Sequence, residues 1–162
     1  MLDFTSLQVL VLPDMFSVCQ LSNTNDIPFQ DEYVFVAKTD NEISLVCRTK
    51  AVPDSTVNRV DGFRAMRIVG VLELSQVGIV SRISSILTEM YISIFVVSTY
   101  DTDYILLKEG NLEEAENALR EHGYDLIAGE LFPHWYKPES DSGDADKADE
   151  NVGAPRRNGF LR

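Results

Sequence analysis

The sequence predicts an α+β fold in which antiparallel sheets carry helices on one face. Short apolar, strand-like segments separated by turn residues recur along the chain, and two segments have the periodicity of amphipathic helices. In the second half these segments follow the order strand–helix–strand–strand–helix–strand. That order is typical of the split βαβ, or ferredoxin-like, arrangement, with both helices over one face of a four-stranded sheet.

The first half of the chain is rich in predicted strands. Pro13-Asp14 separates two apolar runs and indicates a turn between them. Residues 51–62 are polar and contain proline and glycine, so we expect a loop there. This half resembles the plan of the second half with its first helix reduced to a turn. Its predicted strands are residues 7–12, 15–21, 32–38 and 42–48.

Two amphipathic helices are predicted in the second half. From Gly78 onward, apolar residues recur at helical spacing up to Met90, and polar residues fill the opposite positions. A second helix covers residues 111–123, with Asn111 as its N-cap and Gly123 at its end. The predicted strands of this half are residues 63–74, 92–98, 104–108 and 124–132.

Composition and charge divide the chain and limit its partners. We expect an N-terminal domain over residues 1–60, a C-terminal domain over 61–136 and a disordered acidic tail over 137–162. The net charge is −12; the tail holds 6 acids and 5 bases, so the rest holds 20 acids and 9 bases. Such an acidic surface disfavours binding to nucleic acid or to anionic membranes.

The sequence indicates a cytoplasmic protein. It has no run of 18 apolar residues, and its start carries Asp3 without a preceding basic residue, which is unlike a secretory signal. Cys19 and Cys47 lie inside strand-like runs without the spacing of metal ligands. We therefore expect both cysteines to be buried and reduced.

Catalytic and metal-binding patterns are not apparent. His122 ends a predicted helix, His134 lies in an aromatic cluster, and neither has a carboxylate or thiol at ligand spacing. The sequence has no nucleophile-elbow, phosphate-loop or dinucleotide motif. We expect a binding protein without cofactor or metal, not an enzyme.

The stretch VVSTYDTDYILLK, residues 96–108, places two carboxylates in a predicted hairpin. Asp101 fits the turn as a side-chain acceptor, whereas Asp103 opens a strand, where acids are disfavoured. Asp103 either stabilises the turn or binds an ammonium group. Gly78 precedes a helix N-terminus, which attracts anions, although a strand-to-helix turn by itself often needs a glycine. Residues 92–98 are apolar on both faces and should be covered by the other half or another subunit.

Residues 77–115, VGIVSRISSILTEMYISIFVVSTYDTDYILLKEGNLEEA, resemble the ACT domains of a family of small two-ACT proteins. That family is related to the CASTOR-type arginine sensors and to aspartate kinase regulatory regions. The order of LPDMFSVCQL, NDIPF, VAKTDNEISLVC and GFRAMRIVGVLEL extends the resemblance over residues 7–131. It implies tandem ferredoxin-like ACT domains in a regulatory protein that binds a free amino acid.

The resemblance also implies a binding site and an assembly. The ligand's carboxylate would meet the loop before the first helix, Asp103 would meet its amino group, and the site would lie between copies of the chain in a homodimer. The implied residues are Val77, Gly78, Ile79, Ser93, Ile94, Ser98, Thr99 and Asp103. The alternative is an interaction module that binds a regulated partner protein and has no small-molecule ligand.

Overall fold

The structure is a computed structural model, and it describes residues 7–69 and 78–129. In these ranges the chain forms seven strands and two α-helices. The strands are β1 (Gln8–Leu21), β2 (Val34–Lys38), β3 (Ile43–Arg48), β4 (Thr56–Ile68), β5 (Ile94–Ser98), β6 (Asp103–Lys108) and β7 (Asp125–Ala128). The helices are α1 (Ile79–Glu89) and α2 (Leu112–Glu121). An α+β fold with a largely antiparallel sheet and two helices is confirmed.

All seven strands belong to one sheet, in the order β2-β3-β1-β4-β6-β5, with β7 paired to β1. The sheet is continuous because β1 is long enough to serve both halves. Its start pairs with β7 and with the end of β4, and its end pairs with β3 and with the start of β4. The β1–β7 pair is parallel and places β1 between β7 and β4. The prediction of a four-stranded sheet in the second half did not include a strand from the first half at this position.

The predicted turn at Pro13-Asp14 is wrong, because β1 runs through it. The register against β4 shifts between Val11 and Met15, so the extra residues form an irregularity inside one strand. Proline has no N–H to donate and is therefore tolerated where a ladder is interrupted.

The predicted loop over residues 51–62 is also partly wrong. Residues 56–61 belong to β4, and its register against β1 shifts between Val60 and Phe63, where Gly62 has a φ of +84°. The predicted boundary between residues 60 and 61 falls inside this strand. The division into tandem domains stays a prediction, since no α-helix occurs between residues 7 and 69.

Both helices pack on the same face of the sheet, as predicted. The apolar side of α1 and that of α2 join alternate residues of β1, β4 and β6 in one buried cluster, and partly buried residues of β5 and β7 pack against it. Met90 was predicted to be part of this apolar side, but it is 39% exposed because α1 ends just before it. The helix residues of the cluster are Ile79, Ile83, Ile86, Leu87, Ala115, Ala118 and Leu119.

On the opposite face of the sheet, side chains from strands that are distant in the sheet order contact each other. Phe35 on β2 lies 4.8 Å from Tyr104 on β6, measured between ring centroids, although these strands are far apart in the sheet order. Tyr33 extends the contact to Phe16 on β1. The N-terminal strands therefore cover the face of the C-terminal strands that lacks helices.

The two cysteines lie in a third cluster on the outer face of the N-terminal strands. Cys19 and Cys47 are both buried and free, as predicted. Burial raises the pKa of both thiols, and that of Cys47 reaches about 12. These thiols are packing residues with little thiolate at neutral pH.

Candidate functional site

The β5–β6 hairpin is closed by threonines. The N–H and the hydroxyl of Thr99 both donate to the carbonyl oxygen of Thr102, each at 2.8 Å. The Thr102 hydroxyl donates to the carbonyl oxygen of Ile68 at 2.7 Å, which ties the hairpin to the end of β4. The turn-stabilising role predicted for Asp101 thus belongs to Thr99, and Asp101 is exposed.

Asp103 is held by the strand opposite it. Ser98 and Asp103 are register partners, and the Ser98 hydroxyl donates to Asp103 Oδ1 at 2.5 Å. Within the described part of the chain, Oδ2 of Asp103 accepts no hydrogen bond. The carboxylate is partly exposed and can accept a further donor.

Among the described residues, no side chain caps the N-terminus of α1. Gly78 precedes the helix with a φ of +97°, and its carbonyl oxygen accepts from the N–H of Arg82 at 2.9 Å. A Cβ built on Gly78 would meet nothing within 4 Å, so the backbone angle and not space requires glycine. The side chain of Ile79 is buried in the core. Its contribution to the helix N-terminus is therefore its backbone N–H group, which has no acceptor within the helix.

The uncapped N-terminus and Asp103 lie at the same end of the sheet. Helix α1 has 11 residues, so its length is about 16 Å, and β5 follows it after only the short connection 90–93. The helix therefore runs antiparallel to β5, and its start lies at the end of the sheet where β5 ends and Ser98 pairs with Asp103. At this end of the sheet, the free N–H groups can bind a negatively charged group and the carboxylate oxygen can bind a positively charged one. The arrangement therefore suits a ligand that carries one group of each charge.

Two predicted site residues lie at the other end of the same strand. Ser93 is exposed and Ile94 is half-buried at the start of β5. Five strand residues extend about 16 Å, so one copy of the chain does not bring Ile94 to Asp103. Val77 lies outside the described residues.

The charge network of the N-terminal half lies in a different part of the fold. Arg48 donates from Nε and Nη2 to the two carboxylate oxygens of Asp31, at 2.8 and 3.0 Å. Burial raises the pKa of Asp31, but the hydrogen bonds from Arg48 and the N–H of Tyr33 outweigh it, and the pKa falls below its ordinary value. Both charges are satisfied, so this pair acts as a clamp between the loop before β2 and the end of β3.

A cavity of about 330 Å³ lies beside α2 near the end of α1. It is remote from Asp103, because Met90 and Gly110 mark the opposite end of the sheet. Its lining residues are Met90, Gly110, Glu113, Glu114, Asn117, Ala118 and Glu121.

The described residues contain no group of three or more His, Cys, Asp or Glu side chains placed to hold a metal ion. Among the same residues, no helix is long and apolar enough to cross a membrane.

Two helices over one face of this largely antiparallel sheet define a ferredoxin-like type of α+β domain. Residues 58–121 match the family model of the ACT domain, and residues 14–55 match a second model, described as an N-terminal domain. The similarity to the ACT domain thus covers residues 58–121, the part of the chain that holds both helices. No curated protein sequence matches the chain.

Solved structures share the fold over most of the chain. Protein Atu0741 from Agrobacterium tumefaciens is 25% identical, with a TM-score of 0.69 over 80% of this chain and 98% of its own. Protein VC0802 from Vibrio cholerae is 16% identical, with a TM-score of 0.59 over 74% and 91%. The ligand-free regulatory subunit of aspartate kinase from Thermus thermophilus is 9% identical, with a TM-score of 0.52 over 70% and 95%.

Proposed function

We propose that this chain is a non-catalytic regulatory protein that binds a free α-amino acid at a site shared between two copies. The observation that carries the proposal is the position of Asp103 and of the uncapped α1 N-terminus at one end of the sheet. The ligand's ammonium group meets the free oxygen of Asp103. Its carboxylate accepts from the N–H groups at the start of α1, where the helix dipole favours negative charge.

The second copy supplies what one copy lacks. Strand β5 is the last strand of the sheet order, and one of its edges pairs with β6. Thr99 and Thr102 form a hydrogen-bonded pair, and such pairs alternate with non-hydrogen-bonded pairs along an antiparallel ladder. The N–H and C=O groups of Ile94, Val96 and Ser98 therefore point away from β6, towards the other edge of β5. A second β5 strand placed antiparallel about Val96 pairs all three residues.

This register completes the site. It places Ile94 of the partner subunit opposite Ser98, next to Asp103, so residues that are separated in one copy meet between copies. The edge is suited to self-association because residues 90–100, MYISIFVVSTY, contain no charge in a chain of net charge −12. Charge-free interface cores are favoured, and like-charge repulsion is avoided.

The relatives support the regulatory part of the proposal. The Thermus thermophilus structure is named as a regulatory subunit, and the matched ACT domain is a regulatory and not a catalytic module. The relation to CASTOR-type sensors and a cytoplasmic location remain part of the proposal.

A free edge at the other end of the sheet favours a second candidate function. Strand β2 pairs only with β3 in the described part of the sheet, and Val36 on it is 38% exposed. An extended segment of a regulated partner protein can pair with such an edge. In that case the chain is an interaction module, and free amino acids leave its stability unchanged.

A thermal-shift screen against the free amino acids tests the proposal. A ligand at a hundred times its Kd stabilises the native state by about 2.7 kcal/mol, which raises Tm by several degrees. We expect one amino acid to shift the wild type and the Asp101→Asn control, and not Asp103→Asn. Absence of any shift in the wild type contradicts the proposal and favours the interaction module.

A further inference from the structure

Both helices end in the same hydrogen-bonded motif but with different residues at its critical position. After α2, Gly123 donates to the carbonyl oxygen of Arg120 at 3.0 Å, and Tyr124 donates to that of Leu119 at 3.1 Å. After α1, Tyr91 donates to the carbonyl oxygen of Thr88 at 2.9 Å, and Ile92 to that of Leu87 at 2.9 Å. These bonds define the Schellman motif, whose central residue adopts a left-handed conformation.

The α2 end uses glycine for this conformation, and the α1 end uses tyrosine. Gly123 has a φ of +88°, which glycine adopts freely, whereas Tyr91 has a φ of +56°. Tyr91 is the one positive-φ residue other than glycine within the described ranges. Tyr91 is 96% exposed, so no packing among the described residues offsets the strain.

The position of Tyr91 indicates what the ring contacts. It lies three residues before β5, at one end of the charge-free stretch 90–100, and Tyr100, which is 84% exposed, ends that stretch. In an antiparallel pair about Val96, the start of one β5 lies beside the end of the second copy's β5. Tyr91, just before the start of β5, and the partner's Tyr100, just after its end, then lie at the same end of the pair, and this occurs twice in a two-fold dimer.

We propose that Tyr91 and Tyr100 are the aromatic anchors of the interface between two copies of this chain, and that strain at Tyr91 is retained for that contact. The inference rests on the shared site proposed above and adds the residues that hold it together. Tyrosine is suited to this role because it buries a large area with few rotatable bonds.

The proposal gives Tyr91→Gly two effects of opposite sign. Removing the strain raises the unfolding midpoint of the isolated subunit by about 3 °C, since glycine fits the Schellman position as it does after α2. Removing the ring weakens self-association, so the dimer Kd rises at least tenfold. A residue with only a structural role changes the first quantity and not the second.

The experiment compares Tyr91→Gly, Tyr91→Phe and Tyr100→Ser by sedimentation equilibrium and by thermal unfolding at dilutions where each protein is monomeric. We expect Tyr91→Phe to dimerise like the wild type, and Tyr100→Ser to lose affinity without a rise in the unfolding midpoint. Wild-type affinity in Tyr91→Gly overturns the anchor proposal, as does a wild type that stays monomeric at 100 µM.

The amino-acid screen separates this proposal from the proposed function. If the wild type is monomeric and an amino acid still shifts its Tm through Asp103, ligand binding stands and the interface is overturned. If the wild type dimerises through Tyr91 and no amino acid shifts it, the anchors stand and amino-acid binding fails.

Discussion

Ser98 donates its hydroxyl hydrogen to Oδ1 of Asp103 at 2.5 Å, across the pair of strands that ends the sheet. The bond orients the carboxylate and uses one of its oxygens. The other oxygen remains available at the end of the sheet where α1 begins without a cap. A hairpin turn closed by Thr99 and Thr102 does not need the carboxylate of Asp103, which leaves this group available for the proposed ligand.

Ser98→Ala tests whether the orientation of Asp103 matters for binding. The variant removes the donor but keeps the carboxylate, so we expect the Kd for the amino acid to rise about tenfold, which is about 1.4 kcal/mol. Because Ser98 is exposed, stability should change by less than about 0.5 kcal/mol. Isothermal titration measures the first quantity and urea denaturation the second. An unchanged Kd would show that Ser98 does not position the acid.

Gly78→Ala tests the left-handed start of α1. Alanine meets no atoms there, but a φ of +97° strains it, so we expect a loss of about 1–2 kcal/mol in the free energy of unfolding. Gly110→Ala is the matched control, because a Cβ at Gly110 also meets nothing within 4 Å and no positive φ is involved. Equal stability of the two variants, measured by urea denaturation, would contradict the backbone argument.

Arg48→Met tests the clamp in the N-terminal half. Asp31 loses its charged partner while it stays largely buried, so we expect a loss of about 2 kcal/mol at pH 7. The folded-state pKa of Asp31 is lowered, so the stabilisation is present above the ordinary value of 3.8 and is lost as the pH falls through the lowered value. Urea denaturation between pH 2 and pH 7 should show a weaker acid dependence in Arg48→Met, an effect that would be missing if the clamp contributed nothing.

The control for this variant is Arg59→Met. Arg59 also donates to a carboxylate, that of Asp61 at 2.6 Å, but both side chains are well exposed. Solvent screens such a pair, so the stability should change much less than in Arg48→Met.

Cys19 and Cys47 should be unreactive in the native state. Burial raises the pKa of both thiols, and the thiolate is the form that reacts. We expect no reaction with Ellman's reagent in native buffer over minutes, and reaction of both thiols in 6 M urea. Rapid modification of a native thiol would contradict the packing of the N-terminal strands.

Periodicity predicted the second half of the fold well. The helical spacing of apolar residues from Ile79 predicted α1, and Gly123 correctly marked the end of α2. Both features were predictable because amphipathic faces and left-handed helix ends are local signals. Asn111 was correctly placed at the start of α2, but its side chain makes no capping bond, since a short 3₁₀ turn over Glu109–Asn111 leads into the helix. The cysteines were predicted as buried from their apolar neighbours.

Non-local pairing was not predictable from local patterns. Taken by themselves, Pro13 and the polar residues after Thr56 indicate the end of a strand. In the structure β1 and β4 continue through both places, because the two strands pair along their length with local shifts in register. The insertion of β1 beside β7 likewise depends on contacts far apart in the sequence. The sequence analysis also did not single out Tyr91, which is proposed here as an interface residue; the signal that could have found it is a tyrosine where a helix end usually carries glycine or asparagine.

A subunit-mixing titration tests the shared amino-acid site most directly. Asp103→Asn removes the ammonium acceptor of one copy, and Ser93→Arg blocks the part of the site that the partner's β5 contributes. Each variant alone should bind none of the amino acid identified in the screen, because both sites of each homodimer are damaged. Mixed dimers should regain one intact site, so isothermal titration of the mixture should show binding. A mixture as inactive as its two parents, beside a wild type that binds, would contradict a site built from two copies.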